Sequence, residues 1–255
     1  VEITRGSRIE SSSLGHGIVM TADGETILSF GDMNRETYPR SAAKWIQALE
    51  LVLSGAADAL NLSDEQLAIA CASHNGEHEH VTLVTQWLKQ IGLDTEDLEC
   101  GVTLPFTEAV RLQLSHDHVT ATQLHHCCSG KHTGMLSVCA HVGWPTLGYT
   151  HYELPLQVAI RGHISTIFDI DADSLDYASD GCSVPTYAMP LDTMALGYAK
   201  LGAGRFSDAI NQAALRLRQA QANAPFMVAG SERLDTLLLE AGQGRLQVKM
   251  GAEGV

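Results

Sequence analysis

The chain has 255 residues, 45% hydrophobic and 18% charged, the profile of a globular protein with a core of its own. Its net charge of −14 repels phosphate backbones and anionic lipid, and no basic run offsets it, which argues against nucleic acid as a partner. No apolar stretch approaches the roughly eighteen residues of a membrane span. The opening Val1-Glu2-Ile3-Thr4-Arg5 has no apolar signal region.

In chain order, 18–22 and 26–30 read as two strands around Asp23-Gly24, a strong hairpin signal. A long helix is expected from Ser41 through 45–60. Ser63-Asp64-Glu65-Gln66 has the form of a capping box, after which 67–71 fits a short buried strand or the end of that turn. Residues 80–91 carry helical apolar spacing (Val81, Val84, Trp87, Leu88, Ile91), with Gly92 suited to the position after the helix. Further helices are expected at 107–116, 131–142, 153–168, 192–202, 206–221 and 231–241, and 245–249 alternates like a strand. No repeat, low-complexity tract or clear linker divides the chain. The pattern predicts one α+β domain over 1–255, with helices packed on an antiparallel sheet.

Four segments carry chemistry. Ser41 and Lys44 form an S-x-x-K pair one helical turn apart, so hydroxyl and amine share a face. A serine hydroxyl needs a base to become a nucleophile, and a lysine in a partly dry pocket can serve, because desolvation lowers its pKa. Alone, the pair is more often a serine at a helix start and a solvated lysine.

In His126-Cys127-Cys128-Ser129-Gly130-Lys131-His132, a thiol and an amine are three residues apart at a helix start, where a thiolate is favoured. Asp180-Gly181-Cys182 is a turn with a carboxylate and a thiol two residues apart. Cys71-Ala72-Ser73-His74-Asn75-Gly76-Glu77-His78 contains H-x-x-E-H, an inverted zinc-peptidase pattern. That chemistry needs both histidines on one helical face, and Asn75-Gly76 places a turn inside the motif, so the peptidase reading is set aside. The six cysteines include no C-x-x-C and suit a reducing cytoplasm better than a disulfide framework. Cys71, Cys100 and Cys139 are expected to be buried core thiols. His116, His118, His141 and His163 are expected to be surface or packing residues.

Taken together, P-R-S-x-x-K, A-S-H-x-G-E, C-S-G-K-H-x-G-M, D-G-C-x-V-P-T-Y and the closing Lys249-Met250-Gly251-Ala252-Glu253-Gly254-Val255 resemble the rhizobial-type L-asparaginase family. The likeness spans the whole chain, and C-S-G-K-H is its most specific piece. It implies a serine β-lactamase and penicillin-binding type of fold in two lobes, with S-x-x-K at a helix start between them. It implies hydrolysis of L-asparagine to L-aspartate and ammonia, in the cytoplasm and as a homodimer. Carried over by position, Ser41, Lys44, Ser73 and Lys249 are the expected catalytic groups. Cys128, Lys131 and Cys182 match positions that hold zinc, with Asp180 close by. A lysine ligand must be neutral, so metal and proton compete there and weak, pH-sensitive binding is expected. Arg40, His74 and His132 are candidates to bind the substrate's α-carboxylate or to orient Asp180.

The chain departs from the family in two places: His126-Cys127 stands where N-N is typical, and Ser13 stands where the early E-S-x-H has its histidine. The family also continues several tens of residues past G-A-E-G, so a C-terminal segment is expected to be missing from this sequence. A glutaminase or other small-amide hydrolase of the same fold, and an inactive metal-binding module, are the alternatives.

Overall fold

The structure, a computed structural model, describes residues 1–255. Two hairpins open it. β1 (Glu2–Arg5) and β2 (Arg8–Ser12) pair antiparallel, and so do β3 (Gly17–Met20) and β4 (Thr26–Phe30). Gly24, in the turn between β3 and β4, takes the left-handed φ of +89°. β5 (Glu36–Thr37) leads into the helical body: α1 (Lys44–Gln47), α2 (Leu49–Leu53), α3 (Ala56–Ala59), α4 (Asp64–Ala70), α5 (His78–Gln90), α6 (Glu108–His116), α7 (Ser129–Val142) and α8 (Pro155–Phe168). Three short strands follow: β6 (Tyr177–Ser179), β7 (Pro185–Tyr187) and β8 (Met189–Pro190). The chain ends with α9 (Leu191–Gly202), α10 (Asp208–Asn223), α11 (Pro225–Ala229) and α12 (Leu234–Gly242).

This is a mixed helix-and-strand architecture with antiparallel pairing, as α+β predicts, but not with one sheet. The strands form four separate two-stranded pairs, β1–β2, β3–β4, β5–β8 and β6–β7. Three of the four join strands that follow one another in sequence, where a short connection makes pairing cheap. Only β5–β8 joins distant segments, and it is two residues long.

The helix expected from Ser41 to residue 60 is in pieces. It begins as a tight 3-10 turn at Arg40–Ala43 and breaks at Ala48 and again at Ser54-Gly55, where Gly55 has φ +82°. The Ser63/Gln66 capping box is present, each side chain bonding the other's backbone N–H at 3.3 and 3.0 Å, and it starts a helix. Residues 67–71 are therefore the body and end of α4, not a strand. Residues 245–249 are likewise not a strand. There Gln247 Nε2 bonds Gln221 and the Met250 N–H donates to Asp235, so side chains of α10 and α12 anchor this segment without a neighbouring strand. The other predicted helices occur within a few residues of their expected bounds, and Gly92 follows α5 with φ +75°.

α7 is the central element. It is buried from Ser129 to Cys139 and is surrounded by α2, α3, α4, α5 and α8. Two glycines permit this. A Cβ on Gly130 would lie 2.5 Å from the Ile69 carbonyl oxygen of α4, whereas one on Gly134 would meet Ala70 Cβ at 3.3 Å. Close approach at Gly130 sets the depth of the helix start, and with it the position of Cys128 and Lys131. No helix is long and apolar enough to cross a membrane.

Candidate active site

Arg40 adopts φ +49°, the left-handed region that a non-glycine residue enters at a cost of about 1–3 kcal/mol. Its guanidinium is held by Asp180, 140 residues away on the Asp180-Gly181 turn. The 3-10 turn that follows presents Ser41, half-buried, and Lys44, 1% exposed. Lys44 Nζ makes its bonds to another segment. It donates to the Ala72 carbonyl and, at 2.8 Å, to Ser73 Oγ, and no bond joins it to the Ser41 hydroxyl.

Ser73 is on a buried, extended segment after α4. Three backbone bonds fix that segment: Ser73 N–H to Val228 O (3.0 Å), His74 N–H to Cys127 O (3.2 Å) and Asn75 N–H to Ala229 O (2.9 Å). The middle bond ties the serine loop to the thiol loop. Gly76 turns the chain with φ +72° against the His125 carbonyl, where a Cβ would come within 2.8 Å. The turn splits the apparent zinc-peptidase motif. His74 is buried and accepts the Gly76 N–H at Nδ1, which leaves Nε2–H to meet Ser129 Oγ at 3.0 Å. His78 is exposed, and Glu77 caps α5 while bonding the Ser231 N–H and hydroxyl. Burial, then the neighbouring His80 and Lys44, holds the His74 pKa well below its ordinary value. With both nitrogens engaged, His74 braces the segment and has no free atom for a carboxylate.

Around the start of α7, Lys131 Nζ donates to Cys182 Sγ at 3.1 Å, which brings the third motif to the second. Burial works to lower the Lys131 pKa, but charge on Cys182 and Cys128 outweighs it and holds the amine above its ordinary range. Cys127 Sγ and Cys128 Sγ are 3.7 Å apart. The bond from Cys128 outweighs burial and brings the Cys127 thiol down to about 6, with Lys44 adding to the effect. His132 is fully buried, and burial lowers its pKa to about 4. Its Nδ1 meets the Tyr149 hydroxyl at 2.6 Å, and that oxygen also accepts the Glu99 N–H at 3.0 Å. His132 Nε2 is buried beside Cys182 without a hydrogen-bond partner. Two buried thiols and a buried imidazole nitrogen suit a borderline-soft cation such as zinc, whereas the Lys131 amine, held in its charged form by Cys182 and Cys128, must lose its proton before it can join them.

Lys249 closes the cluster. Its Nζ donates to the Met250 carbonyl at 2.7 Å. Burial, then the charge on Lys44, pushes its pKa down to about 7; Asp235 opposes this. Asp235 is 1% exposed, accepts the Met250 N–H at 2.8 Å through Oδ1, and has Oδ2 buried without a partner. Lys249 and Arg40 line a groove of about 970 Å³, together with Tyr38, Met194, Tyr198 and neighbouring residues.

All four sequence motifs thus meet in one place. Missed by sequence reasoning were Tyr149, Asp235 and Arg233, whose Nη1 bonds Asn75 Oδ1 at 2.7 Å. None sits in a motif, and their contacts span 15 to 158 residues, so no local signal marks them. As expected, Cys71, Cys100 and Cys139 are buried, and His116, His118 and His141 are exposed. His163 bonds Glu50.

The buried Lys44 amine bonded to the Ser73 hydroxyl is an arrangement that can move a proton on or off a serine. The family model described as L-asparaginase II matches residues 1–255, and the chain belongs to that family, the rhizobial-type L-asparaginases. It is therefore an enzyme of the asparaginase class, a family whose activity is asparagine amide hydrolysis. A comparison with curated proteins finds no match.

Proposed function

We propose that this protein hydrolyses L-asparagine to L-aspartate and ammonia through a serine acyl-enzyme. The observation that carries this reading is the buried Lys44–Ser73 bond, in a chain of the asparaginase family. Ser41 Oγ attacks the side-chain amide carbon. Its proton passes to an amine of the cluster and on to the departing nitrogen as the C–N bond breaks and ammonia leaves. Water then cleaves the β-aspartyl ester, releasing aspartate and restoring the serine. Ser73 relays protons between Ser41 and Lys44. Lys249, whose pKa burial and the charge on Lys44 push down to about 7, is the amine poised to accept one.

Arg40, oriented by Asp180 and open to the groove, takes the substrate's α-carboxylate. His132 supports the Cys182 side of the site, and His74 acts by bracing the Ser73 segment. Cys128, Lys131 and Cys182 would hold zinc, which when bound would polarise and position substrate. The 3-10 start of the Ser41 segment fits the S-x-x-K position of a two-lobed serine β-lactamase-like fold. A cytoplasmic homodimer completes the reading.

A second reading is favoured by one distance. Lys44 is bonded to Ser73 and not to Ser41, so Ser73 could itself attack with Lys44 as its direct base. Ammonia release from asparagine and glutamine, with Ser41→Ala and Ser73→Ala beside the parent, tests the activity. Peptide mapping of an acyl group trapped by rapid acid quench assigns the nucleophile. No ammonia from a folded parent chain would sink the hydrolase reading.

A further inference from the structure

The established motifs leave His126 and Cys127 without a role, yet they lie against the thiol cluster. His126, Cys127 and Cys128 each offer a ligand atom, and the three atoms lie within 4.8 Å of one another. The two sulfurs are 3.7 Å apart. Zinc–sulfur bonds of about 2.3 Å at a tetrahedral angle place two sulfurs roughly 3.8 Å apart, so both thiols can grip one ion without rearrangement. His126 Nδ1 accepts the Cys128 N–H at 3.0 Å, so that lone pair is engaged by backbone and the imidazole must release this bond to offer it to an ion. His126 is 4% exposed and Cys128 is buried, while Cys127 is only half-buried and gives an ion a way in.

We propose that His126, Cys127 and Cys128 form a second binding site for a thiophilic d10 cation (zinc or cadmium), which shares Cys128 with the Cys128–Lys131–Cys182 set. Two thiolates and one imidazole are a donor set that selects soft and borderline metals over magnesium or calcium. Because one sulfur serves both sets, an ion held by His126 and Cys127 withdraws Cys128 from Lys131 and Cys182. The two sites therefore compete. The backbone bond from His74 N–H to Cys127 O places the second site directly against the Ser73 segment, so occupancy is felt at the catalytic serine loop.

The test is a titration of the full chain, reduced and stripped with a chelator, with Co(II) and with Cd(II). Thiolate-to-metal charge-transfer absorbance is the readout, and circular dichroism checks the fold of each variant. Cys127→Ser and His126→Asn are expected to weaken binding about tenfold or more, on the scale of losing a group that supports a metal. Cys182→Ser is expected to leave the Cys127-dependent ion bound at least as tightly, because it removes the competing claim on Cys128, and Cys128→Ser to abolish the thiolate signal. Unchanged affinity in Cys127→Ser, with loss in Cys182→Ser, would overturn the proposal and place all binding in the other set. That result leaves the amide-hydrolysis reading intact, because ammonia release is measured separately.

Discussion

Lys44 Nζ and Ser73 Oγ are 2.8 Å apart, although the lysine's sequence partner is Ser41, three residues before it on the same turn. Residues three apart eclipse in a 3-10 turn, so proximity to Ser41 is built into the backbone. The bond goes instead to a serine 29 residues away, because Lys44 is buried and the Ala72-Ser73 segment supplies two acceptors where water cannot. The hydroxyls therefore have different duties: one held and buried, the other unheld and half-exposed.

Both serines are expected to be indispensable. Ser41→Ala and Ser73→Ala should each lower kcat/KM by about a thousandfold or more, the usual scale for losing one member of a unit that acts together. The double variant should be little worse than either single one. A double variant that multiplies the two losses would mean that the hydroxyls work independently.

Lys249 sets the expected pH profile. Its pKa of about 7 lies far below the ordinary lysine value of 10.5, so it becomes a neutral base as pH rises through 7. If it accepts the proton, kcat/KM should rise through a limb near pH 7 and level off above it, and Lys249→Met should remove the limb. Lys44, Arg233, Asp235 and Cys128 are the charged groups acting on it. Asp235→Asn keeps an acceptor for the Met250 N–H but deletes the negative charge that holds Lys249 up. The limb should then move to lower pH, and an unmoved limb would show that Asp235 serves the fold alone.

Two glycines on α7 should respond differently to alanine, one with a loss of stability and the other with little change. Gly130→Ala drives a Cβ against backbone of α4 at 2.5 Å, and overpacking of this kind costs about 1–3 kcal/mol. At Gly134 the new methyl meets side-chain carbon at 3.3 Å, and the gain in helix propensity of roughly 1 kcal/mol offsets the crowding. Urea denaturation of the two variants compares them directly.

Tyr149→Phe should destabilise the fold by about 1–3 kcal/mol, because it leaves buried His132 Nδ1 and the Glu99 N–H without their shared partner. A thermal melt reads this loss. Tyr149→Phe as stable as the parent would mean that the site admits water to replace the hydroxyl.

Which residue types could do chemistry, and much of the helical framework, follow from the order of the amino acids. Periodic helices such as α5 and α10, the Ser63 capping box and the Asp23-Gly24 hairpin are set by near neighbours, and all appear close to where they were read. The tripartite break between Ser41 and residue 60 was not legible, nor was the choice between strand and helix end at 67–71, because burial against α7 and α10 overrides local apolar pattern. Tertiary structure alone decided which groups touch. Lys44 meets Ser73 across 29 residues, Lys131 meets Cys182 across 51 and Arg40 meets Asp180 across 140. Composition and spacing cannot carry such pairings. The Lys131–Cys182 pairing in particular needs the start of α7 to lie close against α4, where a methyl group at Gly130 would meet the Ile69 carbonyl oxygen at 2.5 Å.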